Sequence, residues 1–161
     1  MNESLHDWLC RGIVDQSGSA ILFADREGVI RLWNQGAEEM FGYPASEAIG
    51  QPLDIIIPER WRERHRVGYE AAMRAGRTRY TRDVLAVPAQ RKDGTRISIE
   101  FTIVLRRGDQ DVVLGAAAIV QDVTRRWERE KALERRLAVL EAESERRGSS
   151  PLQIERREGR V

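Results

Sequence analysis

The chain has 161 residues, 41% apolar and 33% charged, with a formal net charge of +1. That length suits one core of about 100–150 residues with a small appendage. The charge balance gives no global field for nucleic acid or a membrane surface, and no apolar run approaches the roughly 20 residues of a membrane span. The single cysteine, Cys10, excludes a disulfide framework or a Cys-based zinc site within one chain and points to a reducing cytoplasm. The first residues have no basic or apolar leader pattern, so no signal peptide is expected.

In chain order, Leu5, Trp8, Leu9, Ile13 and Val14 recur at a helical period, which predicts an amphipathic cap helix over residues 1–16. Ala20–Ala24 and Val29–Trp33 flank Asp25-Arg26-Glu27-Gly28 and read as a hairpin with glycine closing the turn. Asn34 is placed to cap a helix that starts at Gln35, and Gly42 and Pro44 end it. Ser46–Ile49 allows one further turn, and Leu53–Ile57 forms a short piece before Pro58. From Pro58 to Ala75 the pattern is strongly helical, with Trp61, His65, Tyr69 and Met73 recurring every fourth residue and Gly76 as the stop.

Tyr80–Gln90 and Thr95–Arg106 then flank Arg91-Lys92-Asp93-Gly94, whose Asp-Gly step is a strong hairpin signal. Ile97, Ile99, Phe101 and Ile103 alternate with polar residues, the mark of a strand with one buried face. Pro88 assigns the first of these two strands to an edge, a bulge or an early end. Val112–Val120 makes a last, central strand. The helices cluster between the second and third strands on one face of a sheet whose strands can all run antiparallel. This is an α+β layer arrangement, with the space between helices and sheet as the natural place for a ligand.

Asp25-x-x-Gly28, Trp33-Asn34-x-x-Ala37, Phe41-Gly42-Tyr43, Ile49-Gly50, the Arg91–Gly94 hairpin and the closing Asp122-Val123-Thr124 occur in this order over roughly residues 15–124. In that order and spacing they resemble the PAS domains of bacterial signal transduction. The resemblance implies a PAS domain over 17–123 with a five-stranded antiparallel sheet of order 2-1-5-4-3. It also implies a ligand pocket between sheet and helices, and output through flanking helices.

After the domain, Asp122 and Thr124 offer capping oxygens to a helix over 124–147. Leu133, Leu137 and Leu140 follow a 4-3 spacing, with Val123 and Glu130 on the same register, which describes a short coiled-coil seam. A homodimer through the cap and C-terminal helices is expected, and the chain is either a fragment of a larger sensor or one that signals by binding a separate downstream protein of unknown identity. The other reading is a solvated helix on its own domain. Gly148 to Val161 is expected to be a disordered tail.

His65 is the sharpest candidate for chemistry. Arg64-His65-x-x-Gly68-Tyr69 resembles the haem-binding PAS oxygen sensors of the FixL and Dos kind, in which a histidine at the corresponding helix position ligates iron. That resemblance implies haem b, with His65 as the metal ligand, beside Tyr69, and Tyr80, Leu85, Phe101, Ile103 and Ile119 as a distal wall. The departures are Leu85 where the FixL kind has an oxygen-binding arginine, and Asp83 where the Dos kind has a methionine ligand. The bland reading makes His65 a core-edge residue and leaves the pocket to an unknown small ligand or to none.

The reactive cysteine of light-sensing relatives is missing, and lone Cys10 is expected to be a small buried hydrophobe. His6 is expected to be solvated, and Trp33 and Trp61 to be core. The arginines between Arg60 and Arg82 alternate with acids and apolar residues, which describes a solvated helical face better than a phosphate-binding surface. No hydrolase or nucleotide-binding motif is present, so no enzyme is expected. The function expected is a sensory PAS domain, or alternatively a ligand-free PAS dimerisation and protein-interaction module.

Overall fold

The computed structural model describes residues 4–78 and 85–148, with Leu85 by its backbone only. The chain divides into two compact units, residues 1–124 and 125–161. The expected strand start at Tyr80 and the tail from 149 onward lie outside the described residues, as does Asp83.

In the first unit, α1 (Leu5–Gln16) is capped by Ser4, whose hydroxyl accepts from the Asp7 amide at 3.0 Å. β1 (Ala20–Asp25) and β2 (Ile30–Trp33) form the expected hairpin. Gly28 closes its turn at φ 79°, where a side chain would be strained. α2 (Gln35–Phe41), α3 (Ala45–Ala48), a 3₁₀ turn (Leu53–Ile56) and α4 (Glu59–Ala75) fill the connection to β3 (Leu85–Gln90). β4 (Arg96–Arg107) and β5 (Val113–Asp122) complete an antiparallel sheet of order β2-β1-β5-β4-β3. β3 is an edge strand, which accommodates Pro88 opposite Ser98.

Register decides which side chains meet the helices. Ala20, Leu22 and Ala24 on β1 pair with Val120, Ala118 and Ala116 on β5, which pair with Phe101, Ile103 and Leu105 on β4. Because side chains alternate across a strand, this set shares the helix-facing side. From this set, Ala20, Leu22, Ala24, Ala118, Val120 and Phe101 pack with Ile30, Trp33, Phe41, Leu53, Ile56, Ile97 and Ile99 in the main core. Met73, Val113 and Ala116 make a smaller core beneath α4, and Tyr69 packs against both cores. Trp33 is core as expected. Its ring centroid lies 5.4 Å from that of Phe41, and its indole N–H donates to the Tyr43 carbonyl at 3.0 Å.

Asn34 ties the N-terminal elements together while almost fully buried. Its Oδ1 accepts from the amides of Ile21 (2.8 Å) and Ala37 (2.9 Å), and its Nδ2 donates to the carbonyls of Val14 (2.8 Å) and Ser19 (3.0 Å). A buried amide with every group satisfied is rigid and costly to replace. The chain passes so close here that a Cβ on Gly36 would lie 2.3 Å from the Ser19 carbonyl oxygen.

One expectation is corrected in α1. Cys10 is exposed rather than buried, its Sγ 3.5 Å from His6 Nε2. α1 buries no residue at all, and Leu5, Trp8 and Ile13 are each more than half exposed. An amphipathic pattern identifies a face that favours burial, but the partner that buries it need not belong to the same chain.

The described part of the second unit is α5 from Arg125 on, the helix itself spanning Thr124–Gly148. Leu133, Leu137 and Leu140 are all more than half exposed along it. The ammonium of Lys131 lies 3.9 Å from the ring centroid of Trp127. Among the described residues, no helix is long and apolar enough to cross a membrane.

Candidate functional site

His65 sits where three pieces of chain converge. Residues 50–53 are stitched to the β1–β2 hairpin by three main-chain hydrogen bonds. Ile30 N–H donates to Gln51 O (2.8 Å), Gly50 N–H to Ile30 O (2.9 Å) and Leu53 N–H to Gly28 O (3.0 Å), and Val29 bridges Pro52. α4 is fastened across this layer by Tyr69. Its hydroxyl reaches the main-chain oxygens of Ala24 at 2.9 Å and Asp25 at 2.7 Å. Between them lies an open groove of about 490 Å³. The β1–β2 turn contributes Arg26, Glu27 and Gly28, the next segment Pro52, Leu53 and Asp54, and α4 contributes His65, Arg66, Tyr69 and Glu70.

The electrostatics of the groove follow from burial. Burial pushes the His65 imidazole below its ordinary value, partly countered by the Asp54 carboxylate, so the ring is neutral at pH 7. Burial also pushes the Tyr69 phenol up to about 12. The two rings lie 5.9 Å apart and tilted by 31°. A neutral imidazole in reach of solvent offers one donor and one acceptor to a small polar ligand.

The sequence-expected site residues are only partly brought together. His65 and Tyr69 share the groove. Phe101 packs on the main core and Ile103 on the smaller core, so both are used by the interior rather than by the groove. Ile119 pairs with Ile21 and Thr102 on the opposite side of the sheet and is 46% exposed, which removes it from any wall facing α4. Tyr80 lies outside the described residues, as does the side chain of Leu85.

These placements bear on haem. A neutral imidazole is the right state for an iron ligand. The rest of the groove is unsuited, because Arg26, Glu27, Asp54, Arg66 and Glu70 charge its rim, and of the described apolar residues expected to wall a porphyrin, Phe101 and Ile103 are packed into the cores and Ile119 lies on the other face of the sheet. Tyr69 and Met73 hold α4 down on the sheet between His65 and those residues. The described residues therefore do not fit the group in this arrangement, and no metal-binding cluster of three or more His, Cys, Asp or Glu occurs among them.

Four of the five arginines of α4 are engaged locally. Arg62 Nε donates to the Ile57 carbonyl at 3.1 Å, Arg66 pairs with Glu63, and the guanidinium groups of Arg60 and Arg64 lie over the Trp61 ring at 5.1 and 5.7 Å.

A second constellation lies where the sheet ends. A hollow of about 300 Å³ separates the end of α2 (Glu39, Phe41, Gly42) from the β3–β4 loop (Arg91, Lys92, Asp93). The loop is clamped to the helices, since Lys92 N–H donates to Phe41 O at 2.9 Å and Lys92 Nζ reaches Glu47 at 2.5 Å. Arg91 turns the other way, and its Nη2 meets Asp122 Oδ2 at 2.8 Å. Asp122 Oδ1 accepts from the amide and hydroxyl of Thr124 at 2.9 and 2.5 Å. The Thr124 hydroxyl oxygen also accepts from the Ser98 amide at 2.9 Å, and Val123 N–H donates to Ser98 O at 2.8 Å with its side chain buried. Asp122, Val123 and Thr124 were visible in the sequence as a motif. Their partners Arg91 and Ser98 were not, because the contacts cross 31 and 26 residues of chain.

The sequence matches the family described as PAS fold over residues 9–123. It is 32% identical over 126 residues to an uncharacterized protein of Azorhizobium caulinodans, a match covering 78% of this chain and 17% of that one. It is 31% identical over 97 residues to the sensor protein FixL of Bradyrhizobium diazoefficiens, covering 58% and 18%. The chain thus spans less than a fifth of the length of these relatives. Among solved structures, the PAS domain of a protein from Colwellia psychrerythraea superposes with a TM-score of 0.64 at 26% identity, covering 73% of this chain and 97% of that one.

Proposed function

This chain belongs to the PAS family, whose members typically serve as sensory modules of signal transduction, and from that premise we infer that it passes a signal from its sheet into α5. The observation that carries this reading is the junction of Asp122, Val123 and Thr124. β5 runs into α5 without a linker, and the last residues of the sheet are held by Arg91 and Ser98. A shift of β4 or of the β3–β4 loop acts directly on the residues that start the helix. The exposed leucines of α5 support output as a helix pair, since an apolar seam at 4-3 spacing is buried when two such helices meet. The receiver of the signal is a downstream signalling element, and no enzymatic step is assigned to these residues.

The input assigned to the domain is a small polar ligand at the His65 groove rather than haem, on the charge of the rim. The second reading, a ligand-free dimerisation and interaction module, is favoured by the interior, where Leu53, Ile56, Ile97 and Ile99 already fill the layer beneath the helices. Native mass spectrometry of the protein as purified, beside His65→Ala, separates the two. An adduct retained by the wild type and lost in the variant supports the sensor. No adduct in either supports the module.

Sedimentation equilibrium tests the output. The wild type should be a dimer, Leu137→Glu a monomer because a charge is forced into the seam, and Arg91→Ala a dimer weakened by several-fold. An unchanged mass for Leu137→Glu would end the helix-pair reading.

A further inference from the structure

We propose that the β4–β5 loop is a strained latch on the end of α4. Arg107 fastens the helix and, with the same guanidinium, holds the loop in a costly conformation, so that α4 opens from its C-terminal end and the start of β5 registers the opening. The proposal goes beyond the sensor reading by naming what releases the helix that carries His65.

α4 has little else to hold it. Of its 17 residues only Met73 is buried, with Tyr69 and Ala72 packed partly beside it. The Tyr69 hydroxyl ties the middle of the helix to Ala24 and Asp25. A helix held by so few buried contacts belongs to the low-stability end of a domain, so a tie at its terminus weighs heavily.

That tie comes from the sheet. Arg107, the last residue of β4, donates from Nη2 to the carbonyl of Gly76, the residue that ends α4. Its Nη1 donates to the main-chain oxygen of Asp111 at 3.0 Å and lies 2.9 Å from the Asp111 carboxylate. One planar group thus spans the helix end and the loop.

The loop it grips is not relaxed. Gln110 and Asp111 stand at φ 58° and 64°, two consecutive residues with side chains in the left-handed region. Aspartate tolerates that region through local hydrogen bonds, whereas glutamine has no such compensation. Both residues are exposed, so packing does not impose the conformation. A strained backbone persists only where its surroundings over-determine it. Here Gly108 N–H closes the loop on Val112 O at 2.9 Å, and the Arg107 fork fixes the Asp111 oxygen within it. Closing the latch gains the Arg107 bonds and suffers the strain, which keeps the closed and open states close in free energy, as a switch requires.

Val113, just beyond the loop, is placed to register the change. It pairs with Arg107 and packs with Met73, and its carbonyl accepts from Arg26 Nη1 at 2.9 Å, beside the His65 groove. From Val113, β5 leads to Asp122.

Amide hydrogen exchange and urea denaturation of the full chain test the latch. Arg107→Ala should speed exchange at residues 73–76 about tenfold, while residues 97–101 of β4 keep wild-type protection. Arg107→Lys should do nearly the same, because an ammonium cannot hold two separated oxygens as the guanidinium fork does. Gln110→Gly should act in the opposite direction. It relieves the strain, so it should raise the urea midpoint by about 0.2–0.5 M and slow exchange at 73–76 several-fold. In a relaxed loop the same substitution lowers the midpoint, since glycine frees the unfolded chain. Combined with Arg107→Ala, Gln110→Gly should lose both benefits, because the left-handed conformation is then no longer enforced.

Wild-type exchange at 73–76 in Arg107→Ala would overturn the latch, as would a lowered or unchanged midpoint in Gln110→Gly. Benefits of Gln110→Gly that persist in full without Arg107 would mean a strained loop uncoupled from α4, and would overturn it too. None of these readouts involves a ligand, His65 or α5, so such a failure leaves the sensor reading standing.

Discussion

Arg91 and Asp122, 31 residues apart in sequence, meet at 2.8 Å where the sheet hands over to α5. The same carboxylate holds the amide and hydroxyl of Thr124, so one side chain joins the β3–β4 loop to the first residue of the helix. Both partners are partly exposed, with side chains 37% and 27% accessible. The ion pair is therefore worth little as stability, roughly 1 kcal/mol or less, and more as a geometric constraint.

Asp122 should also report pH. Burial raises its carboxyl, but the Thr124 hydrogen bonds and Arg91 outweigh this and hold it below the usual carboxylate value. A depressed folded-state value adds stability above the unfolded value of about 4, and that stability is lost as pH falls through the folded one. Asp122→Asn should therefore lower stability at pH 7 by about 1 kcal/mol and flatten the acid limb of a denaturation series. An acid limb identical to that of the wild type would remove Asp122 from this role.

Asn34→Ala should be the most damaging single polar truncation in the domain. It removes the side-chain partner of the Ile21 amide and of the Val14 and Ser19 carbonyls together, and leaves the Ala37 amide only its main-chain bond to the carbonyl of residue 34. A loss of about 2–4 kcal/mol is expected in urea denaturation. A loss below about 1 kcal/mol would mean that water replaces the amide and that the hub is not structural.

Tyr69→Phe removes a hydroxyl that spans from α4 to the end of β1, at an expected cost of about 1–2 kcal/mol. Ultraviolet titration gives a sharper readout. Burial raises the Tyr69 phenol to about 12, so one of the three tyrosines should ionise late, and the late step should vanish in the variant. Because the folded value lies above the unfolded value of about 10, the associated stability is complete below pH 10 and is lost as pH rises towards 12. Absence of a late step in the wild type would contradict the buried hydroxyl.

Expression with haem supply should give no Soret band that depends on His65, because the groove around it is charged and Phe101 and Ile103, expected as porphyrin walls, are packed into the cores. A band lost in His65→Ala would show that α4 opens from the sheet to admit the group.

Much of the layer plan was legible because local signals agreed with the global ones. Asn34 caps α2 as its position implied, Pro88 lies on an edge, and the alternation of Ile97, Ile99, Phe101 and Ile103 set the buried face of β4. The site was harder to read, for two physical reasons. Residues spaced by four on a helix drift about 40° per step, so the stripe on α4 winds from half-exposed Trp61, past His65 at the groove, to buried Met73. In β5, Ala116-Ala117-Ala118 is small on both faces, so its pattern carries no phase, and the outward direction of Ile119 emerges only from pairing with Ile21 and Thr102.

The central claim is that the Asp122–Thr124 junction couples the sheet to α5, and amide hydrogen exchange on the full chain addresses it most directly. With Arg91→Ala, the account predicts several-fold faster exchange at residues 128–132, the first amides of α5 with intrahelical acceptors, while residues 97–105 of β4 keep wild-type protection. Wild-type exchange at 128–132 in that variant would show that the helix starts independently of the sheet, and would contradict the account.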